Sequence, residues 1–163
     1  MTEASISIRR MELGEEERVC CFVRRVFHDF VAPIFAKEGV EEFLRYIDPD
    51  LIAQRTQSHH LTLIAEEDEE IIGVIEMRNF NHISLLFVAR ERQRQGIGRQ
   101  LLQEVLKIAR RYEPELSAVD VYSSPNAVDA YERIGFKAVG PEKLENGIYF
   151  IPMRISIENV GDR

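Results

Sequence analysis

Four arginines fall within ten residues in the stretch RERQRQGIGRQLL, Arg90 to Leu102, around two glycines, Gly96 and Gly98, set one residue apart. The rest of the chain is acidic, with 28 Asp and Glu against 21 Lys and Arg and a formal charge of -7. A local excess of positive charge beside Gly-x-Gly suits one kind of chemistry, the holding of an anion. At the start of a helix the first backbone N–H groups have no partner within the helix, and the aligned peptide dipoles leave about half a positive charge there. Glycines let a ligand approach those amides, and arginines such as Arg94 and Arg99 add charge-assisted donors suited to phosphate. The stretch reads as a pyrophosphate cradle if a strand precedes it and a helix follows.

Two rival phosphate motifs fail on the letters. A Walker loop needs Gly-Lys-Ser/Thr, and Gly98 is followed by Arg99 and Gln100. A dinucleotide fingerprint needs a third small residue where Leu101 stands.

The elements that must position the cradle follow from periodicity. ISIRRM alternates as a first strand. Val19, Phe22, Val23, Val26, Phe27 and Phe30 repeat at helical spacing, and Val40, Phe43, Leu44 and Ile47 give a second helix. Asp48 can cap a third that begins at Pro49. The middle of the chain changes period, and its apolar runs predict three antiparallel strands at about 61–66, 70–78 and 82–88. From Ile97 to about Pro114 the spacing is helical again, LSAVDVYSS is a buried strand, and Ser124-Pro125 and Gly135 bracket a last helix. FKAVG and NGIYFIPMRISI read as two final strands. The expectation is a single α/β domain over 1–163, with a mixed, mostly antiparallel central sheet of about seven strands flanked by helices. A right-handed β-α-β crossover carries the Arg/Gly loop, and 157–163 are expected to form a frayed tail.

Gln93-Arg94-Gln95-Gly96-Ile97-Gly98, after the strand ISLLFV and before an amphipathic helix, resembles the (Arg/Gln)-x-x-Gly-x-(Gly/Ala) signature of the GCN5-related N-acetyltransferases (GNAT). NAVDAYERIGF, Asn126 to Phe136, is similar to the second signature of that family. Arg90 stands where members often have Pro, and Arg94 where Gly is common; neither change removes a backbone donor.

The resemblance implies an acetyl-CoA-dependent N-acetyltransferase acting by direct attack of a primary amine, without an acetyl-enzyme. Leu86, Phe87 and Val88 would offer main-chain groups to the pantetheine arm. Gln93, Arg94, Gln95, Gly96, Ile97, Gly98 and Arg99 would hold the pyrophosphate. Asn126 would meet a pantetheine amide. Tyr131 would protonate the departing thiolate. For the base, strand alternation places His82, Ser84, Leu86 and Val88 on one face, and His82 is the first choice, Glu76 the second, Tyr149 a distant third. Phe27, His28, Asp29, Phe30 and Glu38 are acceptor-site candidates by position. The alternative is a non-catalytic acyl-CoA-binding or regulatory module of the same fold.

The acceptor is expected to be a small-molecule amine or an amine of a peptide or protein, drawn by the acidic balance. That balance speaks against a nucleic-acid partner. No run approaches the ~18 apolar residues of a membrane span, and the N-terminus has no signal pattern, so the cytoplasm is expected. Cys20 and Cys21 are adjacent and no two histidines have ligand spacing, so no metal is expected. Pairing of exposed strands leaves room for a homodimer.

Overall fold

A computed structural model describes residues 5–160. Strands β1 (Ser7–Arg10), β2 (His60–Glu67), β3 (Glu70–Arg78), β4 (His82–Val88), β5 (Ala118–Ser123), β6 (Lys137–Ala138), β7 (Lys143–Glu145) and β8 (Ile148–Ser156) form one sheet. The helices are α1 (Glu16–Phe30), α2 (Lys37–Tyr46), α3 (Pro49–Arg55), α4 (Ile97–Tyr112) and α5 (Val128–Ile134). The sheet runs β1-β2-β3-β4-β5-β8-β6, with β7 paired to β8 beside this path. All pairs are antiparallel except β4 with β5, the two ends of the expected crossover.

Eight strands stand where about seven were expected, because Asn146 and Gly147 turn with φ of 53° and 80°, the two-residue hairpin that right-handed strand twist favours. Lys143–Glu145 thereby fold back on Ile148–Phe150 as an extra short strand. Of the expected tail, Ile157–Asn159 form a 3-10 turn whose first N–H donates to Ser117 O at 2.9 Å. Residues 161–163 lie outside the described residues.

Each face of the sheet has its own core. One buries Ile97, Leu101, Leu102, Val105 and Leu106 of α4 against Leu61, Leu63, Ile75, Met77 and Ile83. The other buries Val19, Phe22, Val23 and Val26 of α1 with Ile64, Val74 and Leu85. A fully buried side chain of this size contributes about 1.5–3 kcal/mol. Gly73 lets α4 settle close to the sheet: a Cβ there would lie 3.0 Å from Leu101 Cδ1 and 3.2 Å from Ile97 Cγ2.

One expectation fails inside β4. Its register with β3 slips, Leu85 facing Glu76 and Ile83 facing Met77, so Ser84 is the extra residue of a β-bulge. Alternation breaks there. Ile83, Leu86 and Val88 pack toward α4, whereas Leu85 and Phe87 pack toward α1, and the Ser84 hydroxyl lies with Glu76. Ser84, Leu86 and Val88 therefore do not share a face, and an unbroken alternation from His82 does not hold.

Candidate functional site

β4 and β5 pair at only two positions, His82 with Asp120 and Ile83 with Val121, and then part. Beyond this split β4 keeps β3 on one edge and, among the described residues, has no strand on the other. Ala89 N–H donates to Ile72 O at 2.9 Å, and backbone direction alternates along a strand, so the Leu86 and Val88 N–H and C=O groups face the open edge. Phe87 directs its backbone at β3. Of the three residues expected to offer main-chain groups to the pantetheine arm, Leu86 and Val88 have theirs on the open edge and Phe87 does not.

The split opens into a cavity of about 1110 Å³. Its walls come from β4, the loop after it, α4, α5, the end of α1, α2 and the β7–β8 hairpin. The loop ends in two left-handed residues, Arg94 at φ 65° and Gly96 at φ 83°. The first intrahelical bond of α4 runs from Gln100 N–H to Gly96 O, so the amides of Ile97, Gly98 and Arg99 precede it. A Cβ on Gly98 would meet only Ile134 Cδ1 at 3.9 Å and Val88 Cγ2 at 4.0 Å. The fold has room for a side chain there, and its absence leaves room above the amides.

The arginines divide by task. Arg92 forms a bidentate pair with Glu67 at 2.7 and 2.9 Å and donates to Gln95 Oε1. This braces the loop against the β2–β3 turn and occupies the Gln95 side chain, which is off the cavity wall. Gln93 Nε2 donates to Val88 O at 3.1 Å. Arg90 lies over the Phe30 ring at 5.8 Å. Arg99 donates to Arg133 O at the end of α5, 2.7 Å away. Arg94 is exposed at the cavity with its guanidinium free of hydrogen bonds among the described residues.

Asn126 clamps two parts of the wall together. Its Nδ2 donates to Phe30 O, a carbonyl at the C-terminus of α1 that the helix itself cannot satisfy, and its Oδ1 accepts from Ser124 Oγ at 2.9 Å. Tyr131 lines the cavity and packs edge-on against Phe136, ring centres 5.4 Å apart. Burial pushes its phenol well above the usual range, so it stays protonated. His82 lies at the foot of the split with its ring against Tyr122, centres 4.4 Å apart. Burial, aided by Arg78 and opposed by Asp120, brings its imidazole down to about 4. It is neutral at physiological pH and can accept a hydrogen bond.

Glu76 differs from His82 in place. It is completely buried and off the wall. Its Oε1 accepts from Tyr46 Oη at 2.8 Å and Ser84 Oγ at 2.7 Å, and its Oε2 from Arg55 Nε at 2.9 Å. Arg55 also stacks on the Tyr46 ring at 4.0 Å and donates to Tyr46 O. Tyr46 and Ser84, both on the wall, link this carboxylate to the cavity. Sequence reasoning missed Tyr46 and Arg55. The available signal was Glu76 itself, a charge inside an apolar strand, which demands a buried cationic partner.

Of the acceptor candidates, Phe27 and Phe30 line the cavity. His28, Asp29 and Glu38 are exposed and off its wall. Tyr149 lines it from β8, as do Glu42 of α2 and Glu145 of β7. Helix α2 meets the β7–β8 hairpin through two glycines. A Cβ on Gly39 would lie 2.1 Å from Gly147 O, and one on Gly147 would lie 2.5 Å from Gly39 N.

The family model described as an acetyltransferase (GNAT) domain matches residues 31–157. The peptidyl-lysine N-acetyltransferase YjaB of Escherichia coli (strain K12) is 28% identical over 144 residues, covering 86% of this chain and 88% of YjaB. Among solved structures, a GCN5-related N-acetyltransferase from Rhodopseudomonas palustris superposes with a TM-score of 0.79 at 20% identity, covering 96% of this chain and 99% of that one. The PaiA N-acetyltransferase from Thermoplasma acidophilum, solved in complex with coenzyme A, gives a TM-score of 0.73 at 22% identity, covering 93% and 99%.

Proposed function

The chain belongs to the GNAT acetyltransferase family, and from that premise we propose that it is an acetyl-CoA-dependent N-acetyltransferase whose acceptor is a primary amine, with a peptide lysine first in rank. One observation carries the reading. The unpaired edge of β4 leads, along one cavity, to the left-handed loop at the start of α4. An extended pantetheine arm pairs with the Leu86 and Val88 backbone as an added strand would. Its pyrophosphate meets the amides of Ile97, Gly98 and Arg99, and the free guanidinium of Arg94 supplies charge. The carbonyl of the thioester then lies beside a β4 N–H that can stabilise the oxyanion.

The amine attacks the thioester directly. A nitrogen–carbon bond forms, the carbon–sulfur bond breaks, and Tyr131, held protonated by burial, gives its proton to the sulfur. His82, neutral at the foot of the split, accepts a hydrogen bond from the amine and orients its lone pair; with an imidazole near 4 it does not retain the proton. Glu42 and Glu145 on the wall favour a cationic acceptor, which agrees with the lysine of the YjaB name. The orientation of both substrates before reaction is the main catalytic contribution of such a site.

Calorimetry with acetyl-CoA, ATP and NAD, followed by thiol release over lysine peptides, polyamines and small amines, tests the reading. Binding of acetyl-CoA alone, turnover on an amine and intersecting initial-rate lines are expected. Acetyl-CoA binding without turnover on any amine would replace the enzyme with a binding module, and parallel lines would bring in an acetyl-enzyme.

A further inference from the structure

Four buried side-chain atoms lack a hydrogen-bond partner among the described residues: Glu16 Oε1, Arg55 Nη2, His60 Nδ1 and Thr62 Oγ1. They are not scattered. Glu16, His60 and Thr62, with Arg10, line a second cavity of about 150 Å³ among the end of β1, the start of α1, the residues after α3 and β2, and Arg55 is the guanidinium that holds Glu76. Thr62 is 5% exposed and Glu16 8%. Leaving such groups unpaired in a dry interior is unfavourable, so a polar cavity lined by three of them recruits water. At about 30 Å³ per molecule there is room for a few.

This cavity adjoins the Glu76 cluster. In the sheet register Thr62 stands directly opposite Glu76, with His60 two residues along the same strand. Across-strand partners have Cβ atoms about 5 Å apart. A polar row thus crosses the middle of this sheet face: Tyr46 and Ser84 on the wall of the large cavity, Glu76 buried between, Thr62 and His60 on the small cavity beyond.

We propose that Tyr46 and Glu76 form a proton relay, open to the acceptor amine at one end and to water beside Thr62 and His60 at the other. The inference rests on the acetyltransferase reading above and adds the route its proton takes. An ammonium that ends as an amide N–H loses two protons. One leaves to solvent before attack and the other as the nitrogen–carbon bond forms, while Tyr131, having protonated the departing sulfur, takes one back from solvent. As the nitrogen–carbon bond forms, the amine proton moves to Tyr46 Oη while the Tyr46 proton moves to Glu76 Oε1. Glu76 then releases that proton to water in the small cavity, and both groups return to their starting state.

The surroundings suit the task. Arg55 from α3 donates to one oxygen of Glu76, the Tyr46 hydroxyl from α2 and the Ser84 hydroxyl from β4 converge on the other, burial and the nearby Arg55 and Arg78 hold the His60 imidazole below its usual range, and Arg10 and Glu16 are the charged groups on the small cavity. Burial and the Glu76 charge push the Tyr46 phenol up to about 12, so it hands protons on instead of ionising. Tyr46 is the catalytic residue of the pair; Glu76, Thr62 and His60 act through it.

The test is steady-state kinetics in H2O and D2O across pH, with acetyl-CoA affinity and thermal melting in parallel. Tyr46→Phe should lower kcat about 100-fold, the lower end for a lost acid–base group, with acetyl-CoA affinity unchanged. Thr62→Val keeps the side-chain shape and lies outside the large cavity. It should lower kcat about tenfold, leave both KM values alone and enlarge the solvent isotope effect, which no substrate contact explains. A Tyr46→Phe enzyme with wild-type kcat, pH profile and isotope effect overturns the relay. So does a Thr62→Val enzyme altered only in melting temperature. Absence of wild-type turnover on every amine instead overturns the acetyltransferase reading and the relay with it.

Discussion

The two ends of the large cavity are made differently. At the α4 end the chain presents backbone: amides of Ile97, Gly98 and Arg99 above two left-handed residues, on a loop braced by the Arg92–Glu67 pair. At the other end it presents side chains, Tyr46, Glu42 and Tyr149, on α2 and a β-hairpin that touch through Gly39 and Gly147. Backbone donors constrain sequence through a few positions of special geometry, and so they leave a motif. A wall of side chains constrains shape, which many sequences satisfy. The first end is therefore marked by a signature in the letters themselves, and the second by none.

Substitutions at each end separate these descriptions. The largest effect is expected for Gly96→Val. A Cβ there meets nothing within 4 Å, so the cost is the backbone at φ 83°, which a β-branched residue scarcely adopts. Calorimetry should show acetyl-CoA affinity falling on the order of 100-fold, about 2.7 kcal/mol. Arg92→Ala, which removes a brace and no donor to the ligand, should fall by less; the reverse order would mean that charge, and not backbone, makes this end.

Next comes Gly39→Ala. Its Cβ cannot coexist with the Gly147 carbonyl at 2.1 Å, so α2 and the hairpin must separate, at about 1–3 kcal/mol for overpacking. The amine KM should rise severalfold while acetyl-CoA binding stays as it was. A loss shared equally by both substrates would show that the two ends are not independent. Smallest is Arg94→Gly. Relief of the left-handed strain at φ 65° should raise stability by up to about 1 kcal/mol in denaturant titration, while the lost guanidinium weakens acetyl-CoA binding modestly. Unchanged stability would assign position 94 to charge alone.

The order of elements was readable because each has its own period or punctuation: Asp48 accepting from Asp50 N–H at the start of α3, the apolar stripe of α4, Gly135 ending α5. The bulge at Ser84 was not readable, since a bulge is a property of pairing with β3 and not of ISLLFV alone. The extra strand β7 depended on recognising Asn146-Gly147 as a tight hairpin within a stretch of low apolar content. Around the cavity, the glycines and Tyr131 stand out in the sequence through motif. Tyr46 and Arg55, on two successive helices, meet Ser84 of β4 only around Glu76.

The parting of β4 from β5 also sets a clock. Ladder amides of β2 and β3 are shielded by strands on both sides, whereas the Leu86 and Val88 amides look out from an edge left open in the middle of the sheet. In hydrogen exchange these two should trade protons with solvent much faster than Phe87 between them, and slow when acetyl-CoA pairs with the strand. The alternation of fast and slow along three consecutive residues would mark, without any assay of turnover, when the missing strand has been filled.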